Sequence, residues 1–302
     1  TSRCAATRPT TCSRTIGSPK TACRSGRSRR PALRKLRYGR IGYVNVAPIE
    51  TAFDAGALTR DVDVVEDVPS RLNALLTGGD LDVAAISAAH YLAHRDELAL
   101  VGDLCIAADG PVRSVLLVSP VPPSLLGGAT IALTHHSASA RDLLATLLEN
   151  VMRLDVRYET VDDALAAARS GRPALVIGDD ALVARGMCAP ASIHDLGEAW
   201  RAWTGLPFVF AVWAVRRDVL AARPDDVAAL AVSLAQARAW GAAHRDEVID
   251  AAVARRPFHR GLYADYFTRL TYVLDERAQQ GLARFDELRA AGEAKEHFRV
   301  AG

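Results

Sequence analysis

From residue 39 onward, short apolar runs alternate with segments of helical periodicity, and this alternation restricts the fold more than any other feature of the chain. Runs of strand length lie at 40–44, 62–65, 82–86, 112–118, 129–133, 174–177 and 207–215. Helical patterns lie between several of them, at 69–77, 137–150, 161–169 and 179–186. Such alternation is typical of α/β proteins, and it predicts sheets that are mostly parallel.

The C-terminal part of the chain has a different pattern. Between 217 and 291, apolar residues recur with a period near 3.6 and predict a helical C-terminal segment. Pro224 and Asp225 mark the start of one helix, and Gly292 is expected to end the last helix.

Two long strands, 112–119 and 207–215, are apolar on both faces and bracket a middle segment with its own strands and helices. We therefore predict two lobes. Residues 38–118 and 213–302 form lobe I, and residues 119–212 form lobe II. The chain crosses between the lobes twice, which leaves a central cleft as the natural place for a ligand.

The first 37 residues form a basic head. Residues 1–40 contain 12 Lys and Arg and no Asp or Glu, which leaves 25 basic and 35 acidic residues for the rest of the chain. The head is rich in Ser, Thr, Arg and Pro, so it cannot bury enough apolar surface to fold. We expect 1–37 to be disordered or extraneous. A transit peptide, a basic tail or residues ahead of the true start all fit this composition.

Composition excludes several functional classes. The acidic balance outside the head argues against a nucleic-acid partner, and no apolar run reaches the roughly 18 residues of a membrane-spanning helix. Cys105 and Cys188 are isolated, and the other cysteines lie in the head. This usage predicts neither a disulfide framework nor a zinc site, and it favours a cytoplasmic location.

Asn45 follows the first predicted strand in the segment RIGYVNVAPIE, three residues before Pro48. Taken alone, an Asn at this place is typical of a helix N-cap. The alternative is that its amide donates and accepts hydrogen bonds to a bound polar group.

Two serines lie at other strand ends. In GPVRSVLLVS, the neighbours Arg113 and Ser114 face opposite sides of a strand, so one of them faces the cleft. No GxSxG turn surrounds Ser114, so we expect it to bind a ligand rather than to attack one; a serine merely tolerated in the strand is the alternative. Ser87, in ISAAHY, either caps a helix or binds a ligand.

The segment LTHHSASARDLL contains a strand end, a polar loop and a helix start. Ser139 and Asp142 have the spacing of a capping box. A helix N-terminus also binds anions, so a ligand carboxylate could lie against Thr134, Ser137 and Ala138. The adjacent histidines of this loop do not have the spacing of a helical metal site.

The turn VIGDDAL contains Gly178, and its Asp179 or Asp180 can cap the following helix. We expect backbone N–H groups of this turn to meet an anionic ligand, since a carboxylate would repel it. Thr204 lies before a glycine and a proline in WTGLPFVF and is a further candidate.

Six segments together resemble one known family, the chorismate dehydratases of the futalosine route to menaquinone. In order they are RIGYVNVAPIE, AAISAAHYL, GPVRSVLLVS, ALTHHSASARDLL, LVIGDDAL and DLGEAWRAWTGLPFVFAVWA, and the resemblance covers residues 38 to about 300. It implies a two-lobed fold like that of type 2 periplasmic binding proteins. It also implies a carbon–oxygen lyase that removes water from chorismate, giving 3-[(1-carboxyvinyl)oxy]benzoate.

The resemblance implies that Asn45 and Ser114 are the catalytic polar pair and that the THHSAS loop holds a substrate carboxylate. It implies no metal and no organic cofactor. With the other strand ends, the predicted substrate-binding residues are Ser87, Thr134, Ser137, Ala138, Ser139, Gly178, Asp179 and Thr204.

Neither an amide nor a serine hydroxyl has a pKa suited to removing a proton near neutral pH. The matching strand ends supply no His and no carboxylate. We therefore expect the enolpyruvyl carboxylate of the substrate to act as the base, once the lobes close over it.

Two other functions stay open at this point. The related enzyme that makes 1,4-dihydroxy-6-naphthoate acts on a larger substrate, and the YVN and VRSVLLVS patterns favour the dehydratase over it. A solute-binding protein for a small carboxylate fits the lobes but lacks a recognisable secretion signal. The sequence leaves both a monomer and a homodimer open.

Overall fold

The computed structural model describes residues 34–300 and the side chains of 34–289. The prediction for the basic head thus lies largely outside the described residues. Its last two positions, Leu36 and Arg37, belong to the first strand. Leu36 is buried, and Arg37 forms an ion pair with the buried Asp82.

Six strands form the first sheet, in the order β11-β4-β10-β3-β1-β2. Their bounds are β1 Leu36–Ile41, β2 Val62–Asp67, β3 Val83–Ser87, β4 Leu98–Ala108, β10 Phe208–Arg216 and β11 Thr271–Val273. The second sheet has five strands in the order β7-β6-β8-β5-β9. These are β5 Val115–Val118, β6 Thr130–Thr134, β7 Arg157–Val161, β8 Ala174–Ile177 and β9 Ile193–Asp195.

Helices connect and cover the strands. Before β10 they are α1 Ala47–Asp54, α2 Pro69–Thr77, α3 Ala88–Ala93, α4 Ala138–Ala145, α5 Ala164–Arg169, α6 Gly178–Met187 and α7 Leu196–Thr204. After β10 they are α8 Arg217–Ala222, α9 Pro224–Ala243, α10 Arg245–Arg255, α11 Arg260–Arg269 and α12 Glu276–Val300. The helical C-terminal segment is confirmed. Gly292 does not end α12, which continues to Val300.

Both sheets are mixed, so the prediction of mostly parallel sheets is wrong in this respect. β1 pairs in parallel with β2 and β3, and β6 pairs in parallel with β7 and β8. The other pairings between described strands are antiparallel. Strand direction depends on non-local pairing, which the alternation of local patterns does not specify.

The two sheets are joined by two chain crossings. β5 belongs to the second sheet, and the whole of β10 belongs to the first. By sheet membership the crossings therefore lie between β4 and β5 and between β9 and β10. The predicted lobe boundaries, after 118 and before 213, would place β5 with the first sheet and divide β10. The extent of each lobe stays a prediction.

One cluster of buried apolar side chains includes residues of both sheets. Trp200 of α7 and Phe285 of α12 both pack edge-to-face on Phe208 of β10, with ring centroids 5.2 and 4.8 Å away. The C-terminal helix is thereby attached to the first sheet, next to the second crossing. None of the described helices is long and apolar enough to span a membrane.

Candidate functional site

A cavity lies between the ends of strands from both sheets, and we call it the central cavity. The first sheet and its loops contribute Ile41, Tyr43, Asn45, Pro69, Ser87, Ile106, Phe210 and Ala211 to its lining. The second crossing partner, β5 with its neighbours, contributes Val112, Ser114, Val115, Ser137, Ile177 and Gly178. Five of the predicted site residues thus meet here: Asn45, Ser87, Ser114, Ser137 and Gly178.

Asn45 lies in a short 3₁₀ helix, Val44–Val46, that follows β1. The N-cap interpretation is wrong, because α1 is preceded by Val46 and no side chain caps it. The Asn45 Oδ1 atom is buried and has no hydrogen-bond partner among the described residues. A buried amide oxygen without a partner is costly in a folded protein. Its place in the central cavity favours a ligand as that partner.

Ser114 precedes β5 and is buried. Its Oγ atom accepts a hydrogen bond from the Tyr266 hydroxyl at 2.9 Å, and its carbonyl accepts one from the Gly178 N–H at 2.8 Å. The Ser114 hydroxyl therefore has its own proton available for donation into the cavity.

The backbone before Ser114 is held in an unusual conformation. Arg113 has a φ of 69°, in the left-handed region that residues with a side chain rarely occupy. The buried carboxylate of Asp195 accepts hydrogen bonds from the N–H groups of Val112 and Arg113 at 3.0 and 2.7 Å. The same carboxylate caps α7. Burial raises the pKa of Asp195, while its backbone donors favour the charged form. Sequence reasoning missed Asp195, which lies 81 residues after Ser114.

The Ser87 and Ser139 side chains do not have the capping roles that the local sequence suggests. Ser87 precedes α3, but its Oγ makes no cap and, among the described residues, has no hydrogen-bond partner. The Ser139 Oγ accepts a hydrogen bond from Ala89 N–H at 3.0 Å and so satisfies the first turn of α3 instead. The capping box predicted for Ser139 is therefore wrong. Ser137 caps α4, accepting from the N–H of Ala140 at 3.3 Å.

The remaining predicted residues lie outside the lining of the central cavity. The Ser139 hydroxyl accepts its hydrogen bond from the first turn of α3, and Ala138 is the first residue of α4. The Thr134 hydroxyl accepts from His136 N–H at 3.2 Å. The Thr204 hydroxyl donates to the Trp200 carbonyl at 2.9 Å, a bond within its own helix.

Asp179 links the two sides of the cavity. Its Oδ1 accepts from Val44 N–H at 3.1 Å, and its Oδ2 accepts from the Arg256 guanidinium at 3.2 Å. Burial raises the pKa of Asp179, and both donors oppose that rise. Neither Asp179 nor Asp180 caps α6, whose N-cap is Ile177.

A glycine is required at position 178, where the start of α6 approaches Tyr43 of the first sheet's loop. Its φ is 60°, and a Cβ atom there would meet the Tyr43 ring at 3.1 Å. Tyr43 is also the single ionisable side chain among the residues that line the cavity. Burial and the charges of Asp179 and Asp180 raise the pKa of its hydroxyl, so it is a poor base near neutral pH.

Comparison with known proteins shows the family of the chain. A sequence profile of the family described as Menaquinone biosynthesis matches residues 36–291. The chain is 33% identical, over 261 residues, to the chorismate dehydratase of Thermus thermophilus; the alignment covers 81% of this chain and 92% of the relative.

Solved structures show the same fold at lower identity. A crystal structure of an Archaeoglobus fulgidus protein matches with a TM-score of 0.71 and 20% identity, covering 86% of this chain and 98% of that chain. The periplasmic aliphatic sulphonate binding protein of Escherichia coli matches with a TM-score of 0.62 and 16% identity, covering 87% and 94%. The predicted α/β fold of the type 2 periplasmic-binding-protein kind is confirmed. With its profile matched across nearly all of the described residues, the chain belongs to the menaquinone biosynthesis family.

Proposed function

We propose that this protein is a chorismate dehydratase, a hydro-lyase that converts chorismate into 3-[(1-carboxyvinyl)oxy]benzoate and water. The relative from Thermus thermophilus carries that name and aligns with most of this chain. The structural observation that supports the proposal is the pairing of Asn45 and Ser114 in a cavity whose lining offers no carboxylate and no imidazole.

The reaction needs a base. One proton must leave the ring carbon that bears the enolpyruvyl ether, and the neighbouring hydroxyl must depart so that the ring becomes aromatic. Among the lining residues, the ionisable group is the Tyr43 hydroxyl, whose pKa is raised by burial. The substrate carries a carboxylate on its enolpyruvyl arm, and that arm can fold over the ring. We assign the proton transfer to this carboxylate.

The same arm can complete the proton balance. The carboxylic acid that forms passes its proton to the departing hydroxyl, so water leaves and the carboxylate is restored. Ser114 donates a hydrogen bond to the departing oxygen or to the arm, since its own oxygen already accepts from Tyr266. The Asn45 amide holds the arm carboxylate with its N–H groups, and its unpartnered Oδ1 accepts a hydrogen bond from the ring hydroxyl of the substrate. Orientation of this kind is worth several orders of magnitude in rate.

The remaining cavity residues bind rather than react. The unpartnered Ser87 hydroxyl and the Ser137 loop before α4 supply donors for the substrate's carboxylates. Thr134, Ala138, Ser139, Asp179 and Thr204 are not among the lining residues, and direct contact between them and the substrate stays a prediction.

The central cavity is narrow, with a volume of about 40 Å³. Chorismate needs far more space, so the two sides must separate to admit it. Closure would then exclude water from the base and the leaving group.

The decisive experiment is incubation of the purified protein with chorismate, with the product followed by its aromatic absorbance and by mass spectrometry. Loss of one water and appearance of 3-[(1-carboxyvinyl)oxy]benzoate are expected. Chorismate that raises the melting temperature without being consumed would instead favour a solute-binding protein. Absence of both effects would leave the naphthoate synthase reaction as the remaining candidate in the same route. A cytoplasmic location and the choice between monomer and homodimer stay predictions.

A further inference from the structure

We propose that Tyr266 and Tyr272 are positioning residues that set the hydrogen-bonding geometry of Ser114 and Asn45. The inference rests on the proposed dehydration and adds two residues to its machinery. Tyr266 lies in α11 and donates to the Ser114 Oγ at 2.9 Å. Tyr272 lies in β11 and donates to the Asn45 carbonyl oxygen at 2.7 Å. Neither tyrosine is among the residues that line the central cavity.

The direction of the first hydrogen bond follows from burial. Tyr266 is 1% exposed, so its hydroxyl proton has no access to water. The Ser114 Oγ is the acceptor found for it, and donation to Ser114 avoids leaving a buried O–H without a partner. With one lone pair of its oxygen occupied, Ser114 presents its own proton to the cavity. The tyrosine thus makes Ser114 a donor.

The second hydrogen bond fixes the backbone that carries the Asn45 amide. Asn45 belongs to a single 3₁₀ turn, which by itself is a weak structure. The Tyr272 hydroxyl donates to the Asn45 carbonyl and holds it in place. The N–H of Val44, the residue before Asn45, is held by the Asp179 carboxylate. Burial raises the pKa of both tyrosines, so both stay protonated donors across the physiological range.

The two tyrosines explain how a catalytic pair from two sheets keeps its spacing. Asn45 follows β1 of the first sheet, and Ser114 precedes β5 of the second. Tyr266 and Tyr272 are only six positions apart, on one short segment that contacts both. That segment acts as a common support, so displacement of either tyrosine changes the relative position of the pair.

The test uses Tyr266→Phe and Tyr272→Phe in the full chain, with chorismate turnover as the readout. Each variant keeps the ring and removes one hydroxyl. We expect kcat to fall about 10-fold to 100-fold while KM stays within about threefold, because the lost contact orients reacting groups. Tyr263→Phe is the matched control: Tyr263 is a buried residue of the same helix, and its hydroxyl donates to the Arg256 carbonyl rather than to a catalytic residue. Its kcat should stay within about twofold of wild type.

A double-mutant comparison separates positioning from a general loss of structure. If Tyr266 acts through Ser114, adding Tyr266→Phe to Ser114→Ala should change kcat by less than about twofold. A further 10-fold loss in the double mutant, or unchanged kcat in both single Phe variants, would overturn the inference. Either result leaves the proposed function standing as long as the wild type converts chorismate. The two tyrosines are tested independently, so unfolding of one variant still leaves a test.

Discussion

The Asp179 carboxylate accepts a hydrogen bond from the Val44 N–H at 3.1 Å, 135 positions away in the chain. Asp179 is the second residue of α6, which follows a strand of the second sheet, whereas Val44 follows the first strand of the first sheet and directly precedes Asn45. This contact joins elements of the two sheets beside the cavity and holds the 3₁₀ turn that carries the candidate catalytic amide.

The link predicts a pH-dependent difference between wild type and Asp179→Asn. Burial raises the pKa of Asp179 in the folded protein, so its favourable contribution to stability is complete below the ordinary carboxyl pKa near 3.8. That contribution is lost as pH rises through the elevated folded value. Asn does not titrate, so the variant should gain stability relative to wild type between pH 4 and pH 7. Urea unfolding of both proteins across this range measures the difference, and a difference independent of pH would contradict the assignment.

Asn45→Ala and Ser114→Ala should both fold and should each lose about 10²–10³ in kcat, because each removes one positioned polar group. Their effects on stability should differ. The Asn45 Oδ1 has no partner to lose, whereas Ser114→Ala leaves the buried Tyr266 hydroxyl without an acceptor, at a cost of about 1–3 kcal/mol. Turnover assays and chemical denaturation test both statements. Wild-type turnover in either variant would refute the assigned roles.

Gly178→Ala should destabilise the protein by about 1–2 kcal/mol and lower turnover, since the residue has a left-handed φ and its new Cβ would press on the Tyr43 ring. Gly186→Ala is the matched control in the same helix. A Cβ there meets nothing within 4 Å, and Ala is the better helix former by about 1 kcal/mol. The melting temperature and kcat should therefore fall in Gly178→Ala, whereas in Gly186→Ala both should rise or stay clearly higher than in Gly178→Ala. Equal behaviour would show that Gly178 has no special role.

Ser87→Ala and Ser139→Ala should separate binding from structure. Ser139→Ala leaves the Ala89 N–H without its acceptor, and we expect a loss of stability of about 1–3 kcal/mol. Ser87→Ala removes a hydroxyl that has no partner among the described residues, so stability should hold while KM for chorismate rises several-fold. Denaturation and steady-state kinetics on both variants decide the matter. A destabilised Ser87→Ala with unchanged KM would reverse the two roles.

Local patterns predicted many elements well. The helix at 69–77 and the strand at 174–177 lie where periodicity placed them, because both are short, uniform and bounded by turn residues. The strand at 98–108 was missed. Gly102 and Asp103 interrupt its apolar run, and the strand is stabilised by its long pairing with β10, which no local pattern reveals.

The site residues that were predicted correctly are those near strand ends, because their place in the chain largely determines their place in space. Ser87 ends β3, Asn45 lies in the turn after β1 of the same sheet, and Ser114 directly precedes β5 of the second sheet. The ends of neighbouring strands such as β1 and β3 meet at one edge of a sheet. Thr204 was a poor candidate, because its hydroxyl serves its own helix. Asp195 was not predicted, because its carboxylate accepts a hydrogen bond from the backbone of Arg113, 82 positions away in the chain.

The sequence by itself determined the α/β alternation, the family, and the kinds of polar group at the strand ends. Only the tertiary structure decided which of these groups are satisfied and which are free. Ser139 takes the cap that local rules assign elsewhere, and Tyr266 reaches Ser114 across 152 positions. Hydrogen bonds depend on distance and direction in space, and local periodicity contains no information about partners so remote in the chain.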